Sequence, residues 1–299
     1  LALQQAEAVK RLLYETSNGL IGAELVPMTT SGDKLTTQRL IEAGGKGLFT
    51  KEIDRALEAG QIDIAVHSLK DVPSILTFGQ DIFACLKRED PREGFISLKY
   101  TCLEDLPEGA VFGTASIRRE AQSRYLRPDL NFVPFRGNVQ TRLKKLEAGE
   151  AEATYLAMAG LTRLGLAHLA QPIDLAAMPP APCQGIVAVA AIAQNLSPEL
   201  ITALAAINNK AAARAAAAER SFLRVLDGSC RTPIAAHLFQ EAHAYRFFGE
   251  VIHPDGTHLW NTAIYSSTNA DIQELEKMGE RAAEDLLQQA GGALPQFEA

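Results

Sequence analysis

Residues 1–14 place apolar side chains at helical spacing, and 23–28 then alternate like a strand that ends in a polar loop. A helix is predicted over 47–59, closed by Gly60, and the apolar strand 62–66 follows almost at once. The charged loop 87–93 separates this set from a second: strand 111–112, helix 116–126, strand 131–135, helix 139–148 and strand 153–156. Strands alternating with helices predict mainly parallel sheets. A breaker-rich stretch, Met178-Pro-Pro-Ala-Pro-Cys-Gln-Gly185, precedes apolar strand 186–190, which is expected to return to the first sheet. Beyond it, helix 210–226, strands 233–238, 245–252 and 259–266, and helix 272–289 read as a separate α+β domain. The alanine-rich run 211–218 reads as strong helix propensity.

Composition narrows the class. A chain of 299 residues, 47% hydrophobic, can bury two or three cores. No run of eighteen apolar residues occurs and the start lacks a signal-peptide pattern, so neither membrane nor export is expected and a cytoplasmic home is the default. Leu1 is not Met and the helical pattern begins at once, which allows for residues ahead of it. Cys85, Cys102, Cys183 and Cys230 are widely spaced, against a disulfide framework or a zinc site, and no metal is expected. A net charge of −7 disfavours nonspecific nucleic-acid binding.

Against that acidic background, residues 113–142 carry six arginines (Arg118, Arg119, Arg124, Arg127, Arg136, Arg142) and only two carboxylates, Glu120 and Asp129. Gly113-Thr-Ala-Ser-Ile-Arg-Arg119 and Phe135-Arg-Gly-Asn-Val-Gln-Thr-Arg142 set arginine beside capping residues at strand ends, the chemistry of a small-anion cradle. Thr114 and Ser116 are candidate helix caps, and Arg118 and Arg119 then sit against the positive end of the helix dipole, which reads either as a site for a bound carboxylate or phosphate or as a solvated helix face. Arg163 lies just past another strand. His67-Ser-Leu-Lys-Asp71 follows a buried strand, where open α/β sheets assemble ligand sites. There Lys70 and Asp71 read either as a binding cation and a proton-transfer carboxylate or as two solvated loop charges; His67 reads as structural. Gly44-Gly-Lys-Gly47 would let backbone amides and Lys46 approach an anion, although the pattern alone favours a hinge or helix start. Cys230, in the polar turn Asp227-Gly-Ser-Cys-Arg-Thr-Pro233, is either an accessible bland thiol or a covalent site.

Taken together with Asp63-Ile-Ala-Val-His-Ser-Leu-Lys-Asp-Val-Pro73, Arg88-Glu-Asp-Pro-Arg92, Ala159-Gly-Leu-Thr-Arg-Leu-Gly165 and Ala218-Glu-Arg-Ser-Phe-Leu223, these motifs resemble the porphobilinogen deaminase family, in its order and over nearly the whole chain. The resemblance implies a transferase that joins four porphobilinogen units into linear hydroxymethylbilane on a covalent dipyrromethane cofactor, releasing ammonia. It makes Cys230 the thioether anchor and Asp71 the catalytic carboxylate. Lys70, Arg118, Arg119, Arg136, Arg142 and Arg163 become grips for acetate and propionate groups; Lys46, Thr114, Ser116, Asn138, Ala159 and Gln184 line the cleft. The implied fold is α/β in three parts: two halves like periplasmic binding proteins (1–87 with 186–206, and 88–185) and a small C-terminal α+β domain (207–299). Hinges are expected near 87–92 and 179–184. The partners implied are porphobilinogen and the growing pyrrole chain, with no nucleic acid and no membrane, on a monomer.

Three departures qualify the transfer. An Arg and a Ser on a strand ahead of Leu1-Ala-Leu are absent from this chain, Glu42 stands where many members have lysine, and Cys183 and Ala190 replace the usual Gly and Glu around Gln184-Gly185. A noncatalytic carboxylate-binding protein would use the same arginines without the Cys230 domain; a DNA-bound regulator would need a helix-turn-helix, which is not recognisable.

Overall fold

The computed structural model describes residues 1–34, 47, 49–77, 79–226, 232–292 and 294–295. Helix α1 (Ala2–Thr16) buries Val9 and Leu13; the short α2 (Ser31–Lys34) and α3 (Lys51–Glu58) lead to strand β1 (Ile64–Ser68). Strand β2 (Gln80–Cys85) follows, and the chain crosses into a second unit. That unit comprises β3 (Glu93–Ser97), β4 (Val111–Gly113), α4 (Ile117–Leu126), β5 (Asn131–Val133), α5 (Val139–Glu147), β6 (Ala153–Ala157), α6 (Met158–Arg163) and the two-residue β7 (Gln171–Pro172). Strand β8 (Val187–Ile192) and helix α7 (Pro198–Ile207) come next. Helix α8 (Lys210–Val225), β9 (Ile234–Gln240), β10 (Ala244–Ile252), β11 (Leu259–Ser267) and α9 (Ile272–Gln289) complete the chain.

β8 does return to the first sheet, between β1 and β2. All six of its residues are buried, because α1 and α7 cover one face and α8 the other. The expectation of mainly parallel sheets is corrected: β8 pairs antiparallel with both neighbours. In the second sheet, ordered β5-β4-β6-β3-β7, β4 pairs parallel with β5 and β6, whereas β3 pairs antiparallel with β6 and β7. Parallel pairing arises where a helix carries the chain back over the sheet, as α4 and α5 do; β3 and β8 enter from the crossing segments instead and run the other way. The strand expected over 23–28 keeps alternating exposure at 21–26, but no described strand pairs with it, and Pro27 removes a donor. Strands β2, β3 and β7 and helices α6 and α7 were not anticipated.

The two crossings lie side by side. Glu89 N donates to Gly185 O (3.1 Å), Arg88 Nε to Gln184 O (2.8 Å) and Gln184 Nε2 to Pro91 O (2.8 Å). A Cβ on Gly185 would sit 2.4 Å from the Glu89 carbonyl oxygen, so only glycine lets the segments meet so closely. The C-terminal part is an antiparallel sheet, β11-β10-β9, packed on α8 and α9. At their contact, a Cβ on Gly279 would lie 2.1 Å from Ala218 O. The alanine run therefore has a second role, since α8 is narrow enough to bury Ala212, Ala215, Ala216 and Ala218 among its neighbours.

Candidate functional site

β1 alternates burial so that Ala65 and His67 point inward. Beyond Ser68 the chain makes a single 3-10 turn, Leu69–Asp71. Leu69 N donates to Ile186 O (2.9 Å) and Val72 N to Leu69 O (3.1 Å); both apolar side chains are buried, so the turn is anchored before and after the pair Lys70–Asp71. Those two side chains reach solvent yet have protein on most sides, as residues on the floor of a cleft do. This enclosure pushes the Asp71 carboxyl up, against the pull of Lys70, His67 and Arg119. It pushes the Lys70 ammonium down, with Asp71 opposing and Arg119 assisting. Lys70 Nζ reaches Gln184 Oε1 at 3.4 Å, and Gln5 of α1 donates to Ser68 Oγ at 2.9 Å. Burial lowers the pKa of His67, in keeping with its structural reading.

The arginine cluster faces this floor. Ser116 caps α4 and Asn138 caps α5, accepting from Arg119 N (3.4 Å) and Thr141 N (2.9 Å). Neither a bound anion nor a solvated face is needed to explain Arg118 and Arg119: both are buried, and the chain itself supplies their carboxylate. Glu93, the first residue of β3 and fully buried, binds Arg118 Nη2 at 2.5 Å and Arg119 Nη2 at 2.7 Å. Burial alone would raise the Glu93 carboxyl; the two guanidiniums instead hold it far below the usual carboxylate range. Arg118 also donates to Gln122 Oε1 and Pro179 O, and Arg119 to Tyr155 O. Arg124 pairs with Glu120 and Arg127 with Asp129, so these two serve the second unit's own structure.

Arg142 differs. Its hydrogen bond goes to Gly137 O (2.9 Å), and among the described residues it has no ion pair. Burial, then Arg119 and Arg136, lower its pKa to about 10. Arg142, within electrostatic reach of both Arg119 and Arg136, stands in a positive field suited to a carboxylate. Arg163 donates to Gly185 O at 2.7 Å, beside the crossing. Thr114, Ala159 and Gln184 are buried; Thr114 Oγ1 accepts from Ser116 N (3.2 Å), and Gln184 joins Lys70 to Pro91. Lys46, Glu42 and Cys230 lie outside the described residues.

Sequence reading missed Glu93, Glu219 and Arg220. Glu219, fully buried on α8, accepts Arg88 (2.6 and 3.2 Å), Leu238 N (2.9 Å) and Cys183 N. A helical period was the available signal: Ala212, Ala215, Glu219 and Phe222 share the buried stripe of α8. Among the described residues no cluster of three His, Cys, Asp or Glu could hold a metal, and no helix is long and apolar enough to cross a membrane.

Two family models match the chain: porphobilinogen deaminase, dipyromethane cofactor binding domain, over residues 1–197, and porphobilinogen deaminase, C-terminal domain, over 213–288. The chain belongs to the porphobilinogen deaminase family. It is 47% identical to the porphobilinogen deaminase of Paracoccus denitrificans (strain Pd 1222) over 261 residues, 87% of this chain and 83% of that one. It is 52% identical to that of Phenylobacterium zucineum (strain HLK1) over 78% of this chain and 72% of that one, and 49% identical to that of Caulobacter sp. (strain K31) over 84% and 79%. A solved ABC-transporter periplasmic substrate-binding protein from Coxiella burnetii superposes with a TM-score of 0.44 at 15% identity over 73% of this chain and 92% of that one, too distant to argue from. Family membership favours the transferase over noncatalytic carboxylate capture.

Proposed function

We infer that this chain condenses four porphobilinogen molecules into linear hydroxymethylbilane, releasing ammonia at each step, on a dipyrromethane cofactor. The observation that carries the reading is Asp71 on the cleft floor beside Lys70, within electrostatic reach of Arg119. The donor set fits the cofactor, whose acetate and propionate groups need cations: among the described residues Arg142 forms no ion pair, and Lys70 lies within electrostatic reach of Arg119. Lys70, Thr114, Ser116, Arg118, Arg119, Arg136, Asn138, Arg142 and Gln184 would hold it, with Cys230 as its thioether anchor. When bound, the dipyrromethane supplies the first nucleophilic pyrrole carbon.

Asp71 handles charge and protons. As the C–N bond of porphobilinogen breaks and ammonia leaves, the remaining pyrrole fragment becomes cationic, and an adjacent carboxylate stabilises it. Asp71 would also be the base that takes up the proton released on coupling. An upward-shifted carboxyl is the stronger base for that step. Arg118 and Arg119, held rigid by Glu93, offer their remaining N–H groups in fixed directions. Arg136, Arg142 and Arg163, with Lys46 and Ala159, are proposed to receive the incoming substrate.

The same reading divides the chain at 1–87 with 186–206, 88–185 and 207–299, supported by the return of β8 to the first sheet. It also makes the enzyme a cytoplasmic monomer without a nucleic-acid partner; its charge of −7 supports the last point. Intact-protein mass spectrometry with an Ehrlich colour reaction tests the mechanism. Wild type should carry a dipyrrole adduct and Cys230→Ala none. Asp71→Asn should keep the adduct while turnover falls roughly 10²- to 10⁴-fold. Absence of an adduct after exposure to substrate, or near-normal turnover in Asp71→Asn, would overturn it.

A further inference from the structure

Helix α8 touches the Asp71 turn through one charged side chain that the mechanism above does not use. The half-buried Arg220 donates Nη1 to Val72 O at 3.4 Å, and Nη2 to Pro73 O at 2.8 Å and Ser74 O at 3.1 Å. These three carbonyls follow Asp71 without a gap. Among the described residues no carboxylate forms an ion pair with Arg220, and burial pushes its pKa down. A guanidinium held out of water by main-chain carbonyls contributes geometry more than charge pairing: its rigid fork fixes the directions of several acceptors at once.

The rest of the contact points the same way. Leu69 and Val72, which bracket Lys70 and Asp71, are buried in one core with Ala212, Ala215, Ala216 and Ala218 of α8. The turn therefore shares its core with α8 and is tied to that helix by a polar clamp. We propose that Arg220 is a positioning residue that sets the Asp71 carboxylate against the reacting groups through the 72–74 main chain. The proposal rests on the role given above to Asp71. Adjacent Glu219 ties the same helix to Arg88 at the crossing, and α8 ends just ahead of residues 227–231, which include Cys230. The helix thus joins the proton-handling turn to the proposed attachment point by a short stretch of chain.

Steady-state kinetics on the adduct-bearing enzyme test this, with Arg220→Gln, Arg220→Lys and, as a control on the same helix, Arg224→Gln. Misplacing the carboxylate should lower kcat in Arg220→Gln roughly 10- to 100-fold while KM stays within about threefold. Arg220→Lys, which reaches fewer carbonyls, should fall between it and wild type, and Arg224→Gln should match wild type. Adduct content and thermal midpoint, measured on each variant, separate misplacement from misfolding. Wild-type kcat in Arg220→Gln, or a rise in KM with kcat kept, overturns the proposal. If Arg220→Gln does not fold, the lysine variant decides, and unchanged kcat there overturns it. A wild type that carries no dipyrrole adduct would instead overturn the reading beneath it.

Discussion

The Glu93 carboxylate lies 2.7 Å from Arg119 Nη2, and its other oxygen is taken by Arg118. Because this acid is fully buried, removing its charge strands two guanidiniums. Glu93→Gln should cost about 3–5 kcal/mol, read from urea unfolding. The sign with pH is fixed: a carboxyl held below its ordinary value of 4.5 stabilises the fold above that pH and loses the contribution as pH falls toward the folded value. The gap between wild type and variant should therefore narrow below about pH 4.5, and a constant gap would contradict the pairing.

Arg142 should behave oppositely to Arg127. Arg127 is bound to Asp129 and to the carbonyls of Leu103 and Leu106, whereas among the described residues Arg142 bonds to the Gly137 carbonyl and forms no ion pair, with Arg119 and Arg136 nearby. Removing Arg142 should relieve repulsion with Arg119 and Arg136 but delete the proposed carboxylate grip. We expect Arg142→Leu to keep its unfolding midpoint while KM for porphobilinogen rises roughly 10- to 100-fold. Arg127→Leu should lose stability with KM kept. Equal KM in the two variants would dismiss the distinction.

That contrast shows what the sequence made legible. Local periodicity located most helices and strands, and strand ends located Asp71 and the arginines. Partner choice was hidden, because Glu93 is 25 residues from Arg118 and opens a strand in a stretch read as charged loop. The anion that explains Arg118 and Arg119 could only be found once β3 was seen beside β6. Strand direction was hidden likewise, since alternation of helix and strand says nothing of a strand such as β8 that returns from another unit.

Cys183 carries a backbone angle that favours glycine. Its φ is +63°, and the residue is buried with its N–H on Glu219. A Cβ in this region costs roughly 1–3 kcal/mol. Cys183→Ala and Cys183→Gly both lose the thiol, but only the second loses the strain. The glycine variant should be the more stable of the two by about 1 kcal/mol, reversing the usual order of alanine over glycine. Greater stability of the alanine variant in parallel denaturant melts would refute this.

His237 sits behind the Arg88–Glu219 pair, its Nδ1 3.8 Å from Glu219 Oε1 and without a hydrogen-bond partner among the described residues. Burial, with Arg88 assisting and Glu219 opposing, lowers its pKa from 6.5 to about 4. The folded state thus resists protonation that the unfolded chain accepts. Below pH 6.5 the unfolded chain gains a proton the native state lacks, so stability falls until pH reaches about 4 and then levels. The loss from this one group is about 3 kcal/mol. His237→Gln should be less stable or equal at pH 7.5, yet lose less stability than wild type between pH 6.5 and 4. Parallel urea melts across that window decide it, because the carboxylates that also titrate there are common to both proteins and cancel in the difference. If the two curves stay parallel, His237 takes its proton in the native state as readily as in the unfolded chain, and burial does not govern its charge.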